Sequence, residues 1–172
     1  MKGLVHIYCG KGKGKTTASV GLCVRAAGAG KRVLFTQFFK NGVSSEIEML
    51  KLLPGVDTLT NSRPVNFFLK MDDEQKEEAK VIYTELLEKA LKQAKDYDVL
   101  ILDEIISTCH YGIADENKLI SFIENKPETM EIVLTGRNPS EKLMALADYI
   151  TEMTKIKHPY DKDIPARKGI EF

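Results

Sequence analysis

Cys9-Gly10-Lys11-Gly12-Lys13-Gly14-Lys15-Thr16-Thr17 decides how this chain of 172 residues is read. An apolar run at residues 4–8 precedes it, and a helical pattern over 15–27 follows, ended by Gly28 to Gly30. A strand that passes through a glycine-rich turn into a helix is the setting of a phosphate-binding loop. Glycines let backbone N–H groups turn toward phosphate oxygens at close range, and the helix N-terminus adds its positive end. In that setting Lys15 reaches phosphate oxygens and the Thr16 hydroxyl ligates Mg²⁺. The spacing is irregular. A standard loop has a glycine five residues before its Gly-Lys pair, where this chain has Cys9, and Gly10 comes one residue late. Glycine and lysine also alternate more densely than a phosphate loop needs; the alternative is a flexible basic turn, which the strand before, Thr16-Thr17 after and the acidic strand end disfavour.

Outward from the loop, further apolar runs at 33–38, 99–102 and 132–135, and a weaker one at 149–153, alternate with helical patterns. Continuous rather than alternating apolar runs suit a parallel sheet covered on both faces. The clearest helix spans 72–95. Ala79, Ile82, Tyr83, Leu86, Leu87, Ala90, Leu91 and Ala94 make one stripe on it, and Asp72 with Gln75 makes a capping box. Shorter helices are expected at 45–53, 115–124 and 140–145. Residues 54–64 and the tail from Lys155 read as irregular. The pattern predicts an α/β, three-layer, P-loop NTPase-like fold with a mostly parallel central sheet, as one domain over 1–172.

Composition narrows the function classes. Lys plus Arg and Asp plus Glu are 25 each, so the formal net charge is zero and a broadly basic nucleic-acid surface is not expected. No apolar run approaches the ~20 residues of a membrane span. The first eight residues meet glycine and lysine too soon to read as a signal peptide. Cys9, Cys23 and Cys109 are an odd number without CxxC spacing, against a disulfide framework or zinc cage and in keeping with a reducing cytosol. A cytoplasmic protein without nucleic-acid or membrane partners is the expectation.

Three further positions carry chemistry. Asp103-Glu104 closes the run 99–102. Alone it is an acidic strand end facing water; beside a phosphate loop it becomes a magnesium site. Arg25 lies ten residues after Lys15 on the same helix, some ~15 Å along the axis, and alone reads as a surface arginine. Thr135-Gly136-Arg137 follows the fourth run, where Gly-Arg suits an anion at the carboxyl edge of a parallel sheet or a plain turn.

Taken together, the loop, Arg25-Ala26-Ala27-Gly28, Gln37-Phe38-Phe39-Lys40, Leu102-Asp103-Glu104, Thr135-Gly136-Arg137, Ala147-Asp148, Thr151-Glu152-Met153 and Gly169-Ile170-Glu171 resemble the P-loop branch of ATP:corrinoid adenosyltransferases. The matches run in order along nearly the whole chain. The resemblance implies that a Co(I) corrinoid attacks the 5′ carbon of ATP, giving an adenosylcorrinoid and inorganic triphosphate, in adenosylcobalamin synthesis or salvage. It implies ATP contacts from Gly10, Lys11, Gly12, Lys13, Gly14, Lys15, Thr16 and Thr17, with Arg25 and Arg137 on the triphosphate. Thr16 and Glu104, with Asp103 nearby, would hold Mg²⁺ or Mn²⁺. Lys15, Glu104, Arg25 and Arg137 would carry the catalytic work.

The family's Phe-x-Trp pair, which faces the corrinoid's lower ligand, matches Phe67, Phe68 and Leu69, and Leu69 stands where tryptophan is usual. This sequence also opens almost at its first strand, where some members carry a covering arm. The tail from Lys157 to Phe172 is the candidate cover. A homodimer and a reductase or flavodoxin-type electron donor are implied in the same way. The residues by themselves leave open a P-loop nucleoside kinase-like phosphotransferase, which would release ADP, and an ATP-gated corrinoid-binding protein without turnover.

Overall fold

The structure, a computed structural model, describes residues 2–40, 44–61 and 71–171. Six strands form one sheet in the order β3-β2-β4-β5-β1-β6, with β1 at Val5–Cys9, β2 at Val33–Gln37, β3 at Val56–Thr60, β4 at Val99–Asp103, β5 at Glu131–Thr135 and β6 at Tyr149–Glu152. Every described pair is parallel, so the expected mostly parallel sheet is parallel throughout. The central strands β2 and β4 are buried along their whole length, which is why they read as unbroken apolar runs.

Helices cover both faces. On one lie α1 (Lys15–Gly28) and α2 (Ser45–Leu50), whose Cys23, Ala26, Ile47 and Leu50 pack on Val33, Phe35, Ile101 and Val133. On the other lie α3 (Asp73–Ala94), α4 (Ile105–His110), α5 (Glu116–Glu124) and α6 (Glu141–Leu146), over Leu34, Leu100, Leu102, Ile132 and Leu134. The capping box of α3 forms: Asp72 Oδ1 accepts from the Gln75 N–H at 2.9 Å, and the Asp72 N–H donates to Gln75 Oε1 at 3.3 Å. Its apolar stripe is buried except for Leu91, which packs half-buried at the margin. Each large side chain on that stripe contributes roughly 1.5–3 kcal/mol by leaving water.

Two elements depart from the expected layout. The segment expected to be irregular carries β3, an edge strand whose Val56-Asp57-Thr58-Leu59-Thr60 is only partly buried and so has no continuous apolar run. Helix α4 begins directly after β4 without a linker. The tail holds one short 3₁₀ turn at Pro159–Lys162. The order of strands sets the site. β5 lies between β1 and β4, so the strand that enters the glycine-rich loop and the strand that ends at Asp103 are not neighbours in the sheet.

Candidate active site

Among the described residues four non-glycines have positive φ, and all but Asp163 in the tail lie at the carboxyl edge of the sheet. Phe39 after β2, Glu104 after β4 and Asn138 after β5 have φ of 54°, 63° and 55° without being glycine. Each costs about 1 kcal/mol or more, and such residues gather at functional sites.

The loop divides into two halves with different work. In the first, the Gly12 N–H donates to the Met153 carbonyl at 2.6 Å, and the Met153 N–H donates to the Cys9 carbonyl at 2.8 Å. A Cβ on Gly12 would come within 2.6 Å of the Met153 carbonyl oxygen. Gly10 and Gly12 are therefore glycine because the loop presses on the end of β6. Gly10 and Lys11 line a separate hollow with Asn138, Glu152 and Lys155. The Gly12 amide thus bonds to the Met153 carbonyl just past β6, at a position that the family resemblance counts among the ATP contacts.

The second half, Lys13 to Thr17, lines a cavity of about 530 Å³ together with Lys40, Glu46, Glu104 and the tail. Lys15 is buried, and its ammonium donates to the Gly12 carbonyl at 2.9 Å. Burial pulls its pKa down; Glu104 opposes that, and the Arg137 charge adds to it. Arg137 itself is exposed, two residues beyond the end of β5.

Asp103 is fully buried and held by uncharged donors. Thr135 Oγ1 donates to Oδ1 at 2.7 Å, and Thr16 Oγ1 and Gln37 Nε2 donate to Oδ2 at 3.1 and 3.2 Å. Burial pushes its carboxyl above the usual range, with Lys40 opposing. Glu104 begins α4. Its N–H donates to Thr135 Oγ1 at 2.9 Å, its carboxylate accepts from Ser107 Oγ at 2.7 Å, and Ser107 Oγ accepts from the Arg137 N–H at 2.9 Å. Thr135 and Ser107 thereby join the ends of β4 and β5. Gly136 must be glycine there, at φ 147° and with a Cβ falling 2.6 Å from the Ser107 nitrogen. Lys40 donates to Glu46 Oε1 at 2.9 Å, as Gln37 does at 3.1 Å.

Arg25 is not brought to the loop. It lies exposed in the last turn of α1, outside the cavity, where burial pushes the Tyr8 phenol up and the Arg25 charge opposes the shift. Helix geometry explains this, since ten residues carry the chain about 15 Å down the axis. Phe67, Phe68 and Leu69 lie outside the described residues. The sequence reading assigned no role to Gln37, Lys40, Ser107 or Thr135, although three of the four stand inside motifs that it quoted. Ser107 had no signal of its own.

The family model for ATP:corrinoid adenosyltransferase BtuR/CobO/CobP matches residues 1–172. The chain is 34% identical to a corrinoid adenosyltransferase of Sinorhizobium sp, over 99% of this chain and 81% of that protein. It is 28% identical to one of Pseudomonas aeruginosa, over 99% and 84%, and 27% identical to one of Escherichia coli K12, over 99% and 86%. Among solved structures, EssC (ATPases 2 and 3) from Geobacillus thermodenitrificans shares the fold at a TM-score of 0.55 and 16% identity. That match covers 97% of this chain, which spans only 35% of the EssC chain.

Proposed function

The chain belongs to the ATP:corrinoid adenosyltransferase family BtuR/CobO/CobP and is an enzyme that transfers an adenosyl group to a corrinoid; we propose that it does so by moving the 5′-deoxyadenosyl group of ATP onto Co(I), releasing inorganic triphosphate. The observation that carries this reading is the cradle of Lys13, Lys15, Thr16 and Thr17 opening on one cavity beside a buried carboxylate. The cobalt lone pair forms the Co–C bond as the C5′–O bond breaks, and that electron pair leaves with the triphosphate. No protein nucleophile and no proton transfer are required. The chain's part is to align ATP and to stabilise concentrated charge on the leaving group.

Lys15, preset by the Gly12 carbonyl, and Lys13 face the phosphates. Thr16, Asp103 and Glu104 supply hard oxygen ligands that fit Mg²⁺ or Mn²⁺. Among the described residues no group of three His, Cys, Asp or Glu side chains gathers as an all-protein cage, which suits a cation ligated largely by phosphate. When bound, the cation would neutralise phosphate charge. Arg137 adds a positive charge at the end of β5. Arg25, outside the cavity, would reach the triphosphate only through its long side chain. Phe67, Phe68 and Leu69 remain the candidates for the corrinoid side. A separate reductase or flavodoxin-type donor would deliver Co(I), and a homodimer would be the working unit in adenosylcobalamin synthesis or salvage.

The test is an anaerobic assay with reduced corrinoid, ATP and Mg²⁺ that follows the cobalt spectrum and the phosphate products. One triphosphate per adenosylcorrinoid is expected. ADP, or orthophosphate and pyrophosphate formed in step with turnover, would overturn the leaving-group assignment.

A further inference from the structure

Glu104 is fixed at three atoms where β4 turns into α4. Its N–H donates to Thr135 Oγ1 at 2.9 Å, and its carbonyl accepts from the Thr108 N–H at 3.1 Å and from Thr108 Oγ1 at 2.8 Å. Those bonds hold the main chain at φ 63° and leave the carboxylate free to swing. One further bond stops it: Ser107 Oγ donates to Oε2 at 2.7 Å. Ser107 is buried and lies outside the cavity that Glu104 lines, so it acts through Glu104 rather than on a ligand. Its hydroxyl has a single proton to give, and the Arg137 N–H, donating to the same oxygen at 2.9 Å, turns that proton toward Glu104. We propose that Ser107 is a positioning residue for the cation that accompanies ATP: it sets the direction in which the Glu104 carboxylate meets the metal, an assignment that rests on the nucleotide reading above.

The surroundings make this hydroxyl more than a contact at a helix end. A Cβ on Gly136 would fall 2.6 Å from the Ser107 nitrogen and 2.9 Å from its Oγ. The end of β5 therefore closes over Ser107 and keeps its oxygen in place. Thr135 Oγ1, which takes the Glu104 N–H, donates to Asp103 Oδ1 at 2.7 Å, so the two carboxylates share one frame. Mg²⁺ demands near-octahedral geometry and takes only one or two carboxylates beside phosphate, so the direction of each oxygen counts. Hydrogen-bond partners that orient a ligating carboxylate are worth about 10–100-fold in metal affinity.

Equilibrium binding of ATP, in EDTA and in saturating Mn²⁺, separates this role from a purely structural one. For Ser107→Ala, binding in Mn²⁺ should weaken about tenfold while binding in EDTA stays within about twofold. Ser107→Cys keeps the volume but donates only weakly, and it should follow Ser107→Ala. Added to Glu104→Ala, loss of the hydroxyl should cost no more than about twofold, because it acts through a carboxylate already gone. Equal weakening with and without Mn²⁺, a Ser107→Cys variant that binds like the wild type, or losses that add in the double variant overturn the role of Ser107. The cation reading fails separately. If Glu104→Ala keeps the wild-type gain from Mn²⁺, Glu104 is no ligand and Ser107 has nothing to position. If Glu104→Ala loses that gain and Ser107→Ala keeps it, Ser107 alone is wrong.

Discussion

The floor and the rim of the cavity treat charge in opposite ways. On the floor, Lys15 and Asp103 are buried, and each is held by uncharged groups: a carbonyl for one, two hydroxyls and an amide for the other. Burial lowers the lysine's pKa and raises the aspartate's, so in both cases the charged form is the disfavoured one. On the rim, Arg167, Glu171 and Lys13 stand at the surface and satisfy one another, and the Glu171 carboxyl is held down to about 2, chiefly by hydrogen bonds from Arg167. The floor carries an electrostatic cost that a phosphate beside Lys15 and a cation beside Asp103 would relieve. On the rim Arg167 and Glu171 already satisfy each other, so a phosphate there would meet Lys13 without relieving a buried charge. Preorganised, under-compensated charge is how a site spends folding energy on a ligand.

The largest expected break of that contrast is Lys15→Ala. It removes the buried donor, and turnover should fall by ~10²–10³-fold or more, read as adenosylcorrinoid formed per minute at saturating ATP. Near-wild-type turnover would mean that the floor does not hold the leaving group.

Asp103→Asn comes next and tests the floor's cost directly. The folded carboxyl has its pKa raised above the ordinary value of 3.8, so between the two values the folded state holds a proton that the unfolded chain has lost. Stability contributed by the neutral form is complete below about pH 4 and is lost as pH rises through the folded value. The asparagine variant cannot ionise, so a thermal-unfolding series from pH 4 to 8 should show a shallower decline than the wild type. Its Mg²⁺-dependent ATP binding should weaken as well. A steeper decline would reverse the sign assigned to Asp103.

The floor was far more legible in the sequence than the rim. Strands β1, β2, β4 and β5 show as apolar runs because both of their faces are covered, and the loop and Asp103-Glu104 stand at their ends. Edge strand β3 escaped because it is half polar, and α4 because Glu104 turns straight from strand to helix at φ 63° without a linker to mark it. Two of the loop's glycines have a reason that no local pattern announces: a Cβ on Gly10 or Gly12 would run into the Met153 backbone, some 140 residues away in sequence. Arg25 shows the converse: its motif matches the family, yet helix geometry puts it outside the cavity. Thr135, a plain strand residue by its neighbours, acquires its role only because β5 is inserted between β1 and β4.

The smallest expected effect belongs to the rim, at Glu171→Gln. The substitution keeps the side chain's length and removes the charge that pairs with Arg167 and Lys13. Exposed pairs of this kind are weak and screened by salt. The tail should therefore loosen rather than unfold, with tryptic cleavage at Arg167 and Lys168 accelerating only a few-fold at low ionic strength. At about 1 M salt, wild type and variant should converge. The sign in pH follows from a depressed carboxyl: the wild type's advantage is complete above the ordinary carboxylate value of 4.5 and disappears as pH falls toward about 2. Across pH 5 to 8 the ratio of cleavage rates should thus be flat. A ratio that changed within that window would show that a group other than Glu171 seats the tail. A flat ratio that persisted at high salt would assign the seating to Ile170 packing on the cavity wall instead of to charge.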